Sequence, residues 1–215
     1  MLRDELLMGR YARRLDKLVE LSEKEVHRTS KDATFQSLAR FYRDRFTAAR
    51  SAFHDKHRRD LVGSFRRLQD AGLIEIITCA ATHGYLPLLA EDSSVSAQVR
   101  LGVETYRRHY GRDPKGIWLP ECAYRPAYDW TPPLEGFGGP RPRKGIEEFL
   151  SENGLRYFIV DTHLLRGGKS VGVYLDRFEA LRRLWANFES QWKPADEDET
   201  KSPHTLYYVA GTEGK

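Results

Sequence analysis

Three short apolar runs, each too short for a helix and each followed at once by a polar group able to do chemistry, limit most strongly how this chain can fold. The first is Leu73-Ile74-Glu75-Ile76-Ile77-Thr78-Cys79, the second Gly116-Ile117-Trp118-Leu119, and the third Arg156-Tyr157-Phe158-Ile159-Val160-Asp161. Between the first two, Val95, Val99, Val103, Tyr106 and Tyr110 mark one face of a helix that Ser93 or Ser94 can cap and Gly111 ends. Between the second and third, a Pro/Gly-rich stretch from Arg125 to Arg143 leads into a short helix with Ile146, Phe149 and Leu150, stopped at Gly154. The order is β-α-β-α-β. Strands joined by helical crossovers are parallel neighbours, so the pattern predicts an α/β fold with a parallel sheet.

The flanks read differently. Before residue 73, Leu7, Tyr11, Leu15 and Leu18, then Phe35, Leu38, Tyr42, Phe46, Ala49 and Phe53, recur at helical spacing. Ser30 or Asp32 can cap the second of these helices, and a third carries Leu61, Phe65 and Leu68 up to Gly72. These stripes are expected to be core faces. Residues 1–72 therefore form a helical segment and 73–165 the parallel βαβαβ part. Residues 166–215 are a tail, with a helix from Asp176 (capping-box partner Glu179; Phe178, Leu181, Trp185 and Phe188 apolar) and an acidic linker from Pro194 to Pro203 whose composition favours disorder. Leu206-Tyr207-Tyr208-Val209 is a candidate last strand.

In parallel α/β folds, ligands bind beyond the carboxyl ends of the strands. There the three runs deliver Thr82-His83-Gly84-Tyr85, Pro120-Glu121-Cys122-Ala123-Tyr124 and Asp161-Thr162-His163 to one rim. Each residue has a plainer reading. Glu121 could be a salt-bridge partner for Arg125 or Arg143, His83 a hydrogen-bonded structural histidine, and Asp161 a cap for the next segment. His83, Asp161 and His163 also have the residue types of a two-His-one-carboxylate metal site. Trp118 is either core or sugar platform; Tyr85, Tyr124 and Tyr128 are candidate platforms with hydroxyls for hydrogen bonds. The setting of Glu121, beside Trp118, Tyr124 and two prolines, favours a carboxylate among sugar-stacking groups. Retaining glycoside chemistry needs two carboxyl groups about 5 Å apart, and Glu121 supplies one of them. Cys79 and Cys122 end adjacent strands and read as small packing residues; Glu75, mid-strand, reads as structural.

Bulk properties exclude several classes. The net charge of +4 arises from 35 basic and 31 acidic residues mixed along the chain, so no basic stripe argues for nucleic acid. No apolar run approaches the roughly 20 residues of a membrane span. Arg3, Asp4 and Glu5 interrupt any signal core, and two cysteines make no disulfide framework, so a cytoplasmic protein with reduced thiols is expected.

Ile74-Glu75-Ile76-Ile77-Thr78-Cys79-Ala80-Ala81-Thr82-His83-Gly84-Tyr85-Leu86-Pro87-Leu88-Leu89 resembles the second signature segment of glycoside hydrolase family 57. Gly116-Ile117-Trp118-Leu119-Pro120-Glu121-Cys122-Ala123-Tyr124 resembles the third, and Arg156 to His163 is similar to the strand that follows in branching-type members. The resemblance implies a segment of a distorted (β/α)7 barrel and retaining chemistry on α-1,4-glucan, with 1,4-alpha-glucan branching as the leading activity. It implies Glu121 as nucleophile, with His83, Trp118 and Asp161 lining the sugar site; Tyr124 and His163 join them from their rim positions. No cofactor is implied. The family's first motif and its acid/base aspartate segment find no counterpart, and a full barrel takes about 250 residues. The chain is thus expected to be a fragment or split gene product, inactive alone, that self-associates or needs a complementing chain. A metal-dependent carbohydrate deacetylase and a non-catalytic glucan-binding fragment are the alternatives.

Overall fold

The computed structural model describes residues 2–132, 136, 138–166 and 200–209. The chain divides into two compact units, Met1–Ile76 and Ile77–Lys215.

In the first unit, acidic caps set the start of every helix. Asp4 accepts from the backbone N–H of Leu7 at 2.8 Å and opens α1, Glu5–Arg28. Asp32, one of the two caps expected, accepts from Thr34 and Phe35 and opens α2, Ala33–Ser51, which runs on into a π-helical turn, Ala52–Lys56. Asp60 accepts from Gly63 and opens α3, Leu61–Asp70. Such caps satisfy amides that have no partner within the helix, and each contributes about 1 kcal/mol.

The apolar stripes are less buried than their spacing predicts. Ala12, Leu15 and Phe53 form a small core, with Ala49 and Leu61 against it, and Tyr11 meets Phe53 edge-on at 4.9 Å between ring centroids. None of the residues of α2 is buried. Phe35, Leu38 and Tyr42 are exposed and, with Leu18, Leu21 and Phe46, line an apolar groove of about 280 Å³. Phe65 and Leu68 of α3 are exposed as well. Spacing specifies which residues share a helix face; burial also needs a second layer, and two antiparallel helices cover only part of each other's stripe.

In the second unit, β1 (Thr78–Cys79), β2 (Gly116–Trp118) and β5 (Tyr157–Phe158) form a parallel sheet in the order β1-β2-β5. Thr78 lies opposite Ile117, Cys79 opposite Trp118, Gly116 opposite Tyr157 and Ile117 opposite Phe158. The crossover between the first two strands is α4, Asp92–Tyr110, ended by Gly111 at φ +69° as expected. Crossing from β2 to β5 are an antiparallel hairpin, β3 (Tyr128–Trp130) with β4 (Arg141–Arg143), and then α5, Ile146–Glu152. A short α6, Thr162–Arg166, follows β5. Val95, Val99 and Val103 of α4, Ile117 and Leu119 around β2, and Ile146, Phe149 and Leu150 of α5 make one core with Ala80, Leu86 and Leu155. The α/β class and parallel order match the sequence pattern.

Four local expectations are corrected. The first apolar run is a strand only at Thr78–Cys79; residues 73–77 are not strand, and the Ile76 amide donates to the Gln69 side chain at 2.8 Å. β-branched residues favour a strand, but a strand also needs a neighbour for its amides. Helix α4 begins at Asp92 with Glu91 in the cap position and neither Ser93 nor Ser94 as cap; both serines lie inside the first turn, and Asp92 there is paired with Arg143. Leu206 to Val209 form no strand; Leu206 is 97% exposed and pairs with nothing that would make a ladder. The Pro/Gly-rich stretch contains the β3–β4 hairpin, which its composition concealed. The helix expected from Asp176 lies outside the described residues.

Candidate active site

The carboxyl ends of β1 and β2 meet in one hydrogen bond: His83 Nε2 stands 3.1 Å from Glu121 Oε1. These two residues are 38 apart in sequence, and the parallel pairing of β1 with β2 brings them together.

The turn carrying His83 is clamped to α4. Gly102 lets that helix approach β1 so closely that an added Cβ would stand 2.1 Å from the Cys79 carbonyl oxygen. One turn of helix earlier, the Gln98 side chain accepts from the Thr82 amide at 2.9 Å and donates to the Thr82 hydroxyl at 2.8 Å, while the Gln98 carbonyl accepts from Ala81 at 3.0 Å. The His83 amide donates to the Ala80 carbonyl at 3.1 Å, closing a tight turn in which His83 itself has φ +56°. Its ring then folds back, with Nδ1 3.4 Å from Cys79 Sγ.

The turn carrying Glu121 is built from consecutive left-handed residues, Glu121 at φ +56° and Cys122 at φ +53°. Their neighbours explain why they hold. Leu119, Pro120 and Cys122 are buried, and the Cys122 and Ala123 amides donate to the Leu119 and Pro120 carbonyls at 2.9 and 3.2 Å. Glu121 is thereby turned outward, its side chain 72% exposed. Left-handed backbone at a non-glycine residue costs about 1–3 kcal/mol and persists where surroundings over-determine it, most often at functional sites. Among the described residues five non-glycine positions have positive φ, and three of them are His83, Glu121 and Cys122. The strain is concentrated on the rim.

The remaining rim residues take distinct places. Trp118, on β2, turns away from the core side occupied by Ile117 and is 39% exposed, three residues before Glu121. Asp161 lies close enough to Cys122 for its charge to reinforce the main effect, burial, in pushing that thiol up; the Glu121 charge adds to both. Tyr124 is half-buried and stacked on Phe158, with centroids 5.4 Å apart. Burial, then a hydrogen bond with Glu147, pushes its phenol far up, so both its ring face and its hydroxyl are already engaged by the protein. His163 lies on α6, exposed, and joins neither His83 nor Glu121 by a hydrogen bond. Tyr85 and Tyr128 are exposed, the latter under the Arg125 guanidinium at 5.2 Å.

The salt-bridge reading of Glu121 is removed by the positions of the arginines. Arg143 bonds Asp92 through Nε, Arg125 Nη2 lies 3.6 Å from the same carboxylate, and both guanidinium groups are buried. This cluster ties the hairpin to the first turn of α4, and sequence reasoning missed it. Its only signal was Arg-Pro-Arg at 141–143 and an aspartate 52 positions before Lys144, too remote for local pattern to link. Gln98 was missed for the same reason. The two-His-one-carboxylate alternative finds no ligand set: among the described residues no group of three His, Cys, Asp or Glu side chains could hold a metal ion. Among those residues no helix is long and apolar enough to cross a membrane.

Residues 5–210 match the model of Glycosyl hydrolase family 57. Over 116 residues the chain is 55% identical to a 1,4-alpha-glucan branching enzyme of Thermococcus kodakarensis, covering 54% of this chain and 17% of the relative. It is 32% identical over 107 residues to a probable 1,4-alpha-glucan branching enzyme of Mycobacterium tuberculosis, covering 50% of this chain and again 17% of the relative. The structure resembles the GH57-type branching enzyme of Pyrococcus horikoshii at a TM-score of 0.70 and 40% identity, over 76% of this chain and 30% of that one. It also resembles the alpha-amylase AmyC of Thermotoga maritima at a TM-score of 0.61 and 33% identity, over 76% of this chain and 28% of that one. The chain thus spans about a sixth of the curated relatives it matches.

Proposed function

The chain belongs to glycosyl hydrolase family 57, and from that premise we propose that its strand-end site acts on α-1,4-glucan, as the central part of a retaining 1,4-alpha-glucan branching enzyme. The observation that carries this reading is the outward-turned, strained Glu121 hydrogen-bonded to His83 at the ends of adjacent parallel strands. The branching enzymes among its relatives supply the reaction class, and the part-exposed Trp118 is an aromatic group of the kind that stacks on sugar rings.

In this mechanism Glu121 attacks the anomeric carbon, and the bond to the leaving glucan oxygen breaks as a second carboxylic acid protonates it. A glucosyl ester on Glu121 results. The acceptor, a glucan 6-hydroxyl for branching, then attacks that carbon while the second group, now a carboxylate, takes its proton and the Glu121 carboxylate is released. The His83 hydrogen bond orients one carboxylate oxygen and leaves the other for attack. Asp161 and Trp118 border the sugar position, with Tyr124 and His163 further out. The second carboxyl group comes from outside the residues assigned here. Glucan is the partner, without cofactor, and two free thiols favour a cytoplasmic setting.

The test replaces the matching segment of the full-length Thermococcus kodakarensis branching enzyme with residues 77–166 of this chain and introduces Glu121→Gln. The amide keeps the shape and removes the nucleophile. Turnover is expected to fall at least about a thousandfold, roughly 4 kcal/mol of barrier, while glucan binding persists through Trp118. Near-normal turnover in the variant chimera would refute the nucleophile assignment.

A further inference from the structure

We infer that Cys79 is a positioning residue acting through His83: its thiol donates to Nδ1, holds the ring in the Nε2–H tautomer, and so aims an N–H at Glu121. The inference rests on the reading of Glu121 as the working carboxylate. The two nitrogens of one imidazole are both engaged, Nε2 with Glu121 Oε1 at 3.1 Å and Nδ1 with Cys79 Sγ at 3.4 Å. An ionised carboxylate can only accept, so Nε2 must carry the hydrogen; in a neutral ring Nδ1 is then an acceptor and needs a donor. The Cys79 S–H is placed to be that donor. A hydrogen bond on one ring nitrogen selects the tautomer that serves the other.

Backbone geometry supports the assignment independently. Cys79 closes β1, where pairing with Trp118 on β2 fixes its Cα. Four residues later the left-handed His83 and its amide bond to Ala80 return the ring to the sulfur. Gln98 holds the intervening Thr82 on both sides. The contact is therefore built by the turn rather than left to a free side chain. Burial pushes the Cys79 thiol up from its ordinary value, which favours a protonated donor and opposes a thiolate–imidazolium pair. It also separates this cysteine from a nucleophile, which needs the thiolate.

The test uses the chain itself, ¹⁵N-labelled, without glucan, and so succeeds or fails independently of the chimera's turnover. Two-bond ¹⁵N–¹H correlation of the histidine rings, with His83 assigned by His83→Gln, reads the tautomer directly. The expected result is a protonated Nε2 and an unprotonated Nδ1 both in the unsubstituted chain and in Glu121→Ala, where no carboxylate acts on Nε2, with averaging between tautomers when Cys79→Ala is added to Glu121→Ala and return of the single pattern when Cys79→Ser is added instead. A protonated Nδ1 in the unsubstituted chain, or an unchanged pattern in the folded double variant Glu121→Ala/Cys79→Ala, overturns the inference. A second readout leaves Cys79 in place: its S–H stretching band is expected at the lowered frequency of a hydrogen-bonded thiol and to rise in His83→Gln. A band that His83→Gln does not move overturns it equally.

Discussion

The helical unit and the α/β unit carry similar apolar patterning but bury it very differently. In the first, α2 has none of its residues buried, and Phe35 at its start is 60% exposed. In the second, Val95, Val99, Ile117, Leu119 and Ile146 are completely buried. The difference is the number of layers. Two crossovers lay α4 and α5 on one face of a parallel sheet, so each apolar stripe meets a matching surface. The helices of the first unit offer each other one side only. Stability in the second unit thus resides in a packed core and a buried charge cluster, and the rim turns draw on that stability to hold their left-handed residues.

Predictions that strike this contrast can be ordered by size. The largest concerns Asp92, the carboxylate shared by Arg143 and Arg125. Arg125 already has Nε and Nη2 buried without a hydrogen bond among the described residues. Asp92→Ala leaves two buried guanidinium groups uncompensated and should destabilise the second unit by about 3–5 kcal/mol. Urea unfolding followed by tryptophan fluorescence measures it; a loss under about 1 kcal/mol would show that the hairpin is held by something else.

The direct comparison comes next. Ile117→Ala removes a wholly buried side chain and is expected to cost about 2–5 kcal/mol, whereas Phe35→Ala should change stability by about 0.5 kcal/mol or less. Equal effects in the same urea assay would mean that the groove on α2 is covered in solution. Gly102→Ala should cost about 1–3 kcal/mol, because its methyl would push on the Cys79 backbone and α4 must shift. It should also move the His83 ring resonances. Stability loss without that movement would uncouple α4 from the rim.

The smallest effect is on pH. Burial raises the Cys79 and Cys122 thiols above 9.0 and the Tyr124 phenol above 10.0. The folded state therefore holds these protons more tightly than the unfolded state, and the unfolded state loses them first as pH rises. Stability is full below about pH 9 and declines above it. Denaturation midpoints at pH 7 and pH 10 check the sign; an unchanged or higher midpoint at pH 10 would contradict it.

How much was legible follows from what is local. Strand-helix alternation, the Asp32 cap, the Gly111 stop and the rim positions of His83, Glu121 and Asp161 are written in short windows, because helix periodicity, capping and strand ends act over a few residues. The amino-acid sequence by itself therefore determined an α/β chain with a helical N-terminal region and a set of rim residues. Only the tertiary structure decided which of them touch. The His83–Glu121 bond spans 38 residues and the Arg143–Asp92 pair 51, separations at which no residue's identity names its partner. The same holds for the truncated first strand and the exposed stripe of α2. A β-branched run becomes a strand, and an apolar face becomes a core, only where another segment arrives to pair its amides or cover its carbons, and that arrival is a property of the whole fold.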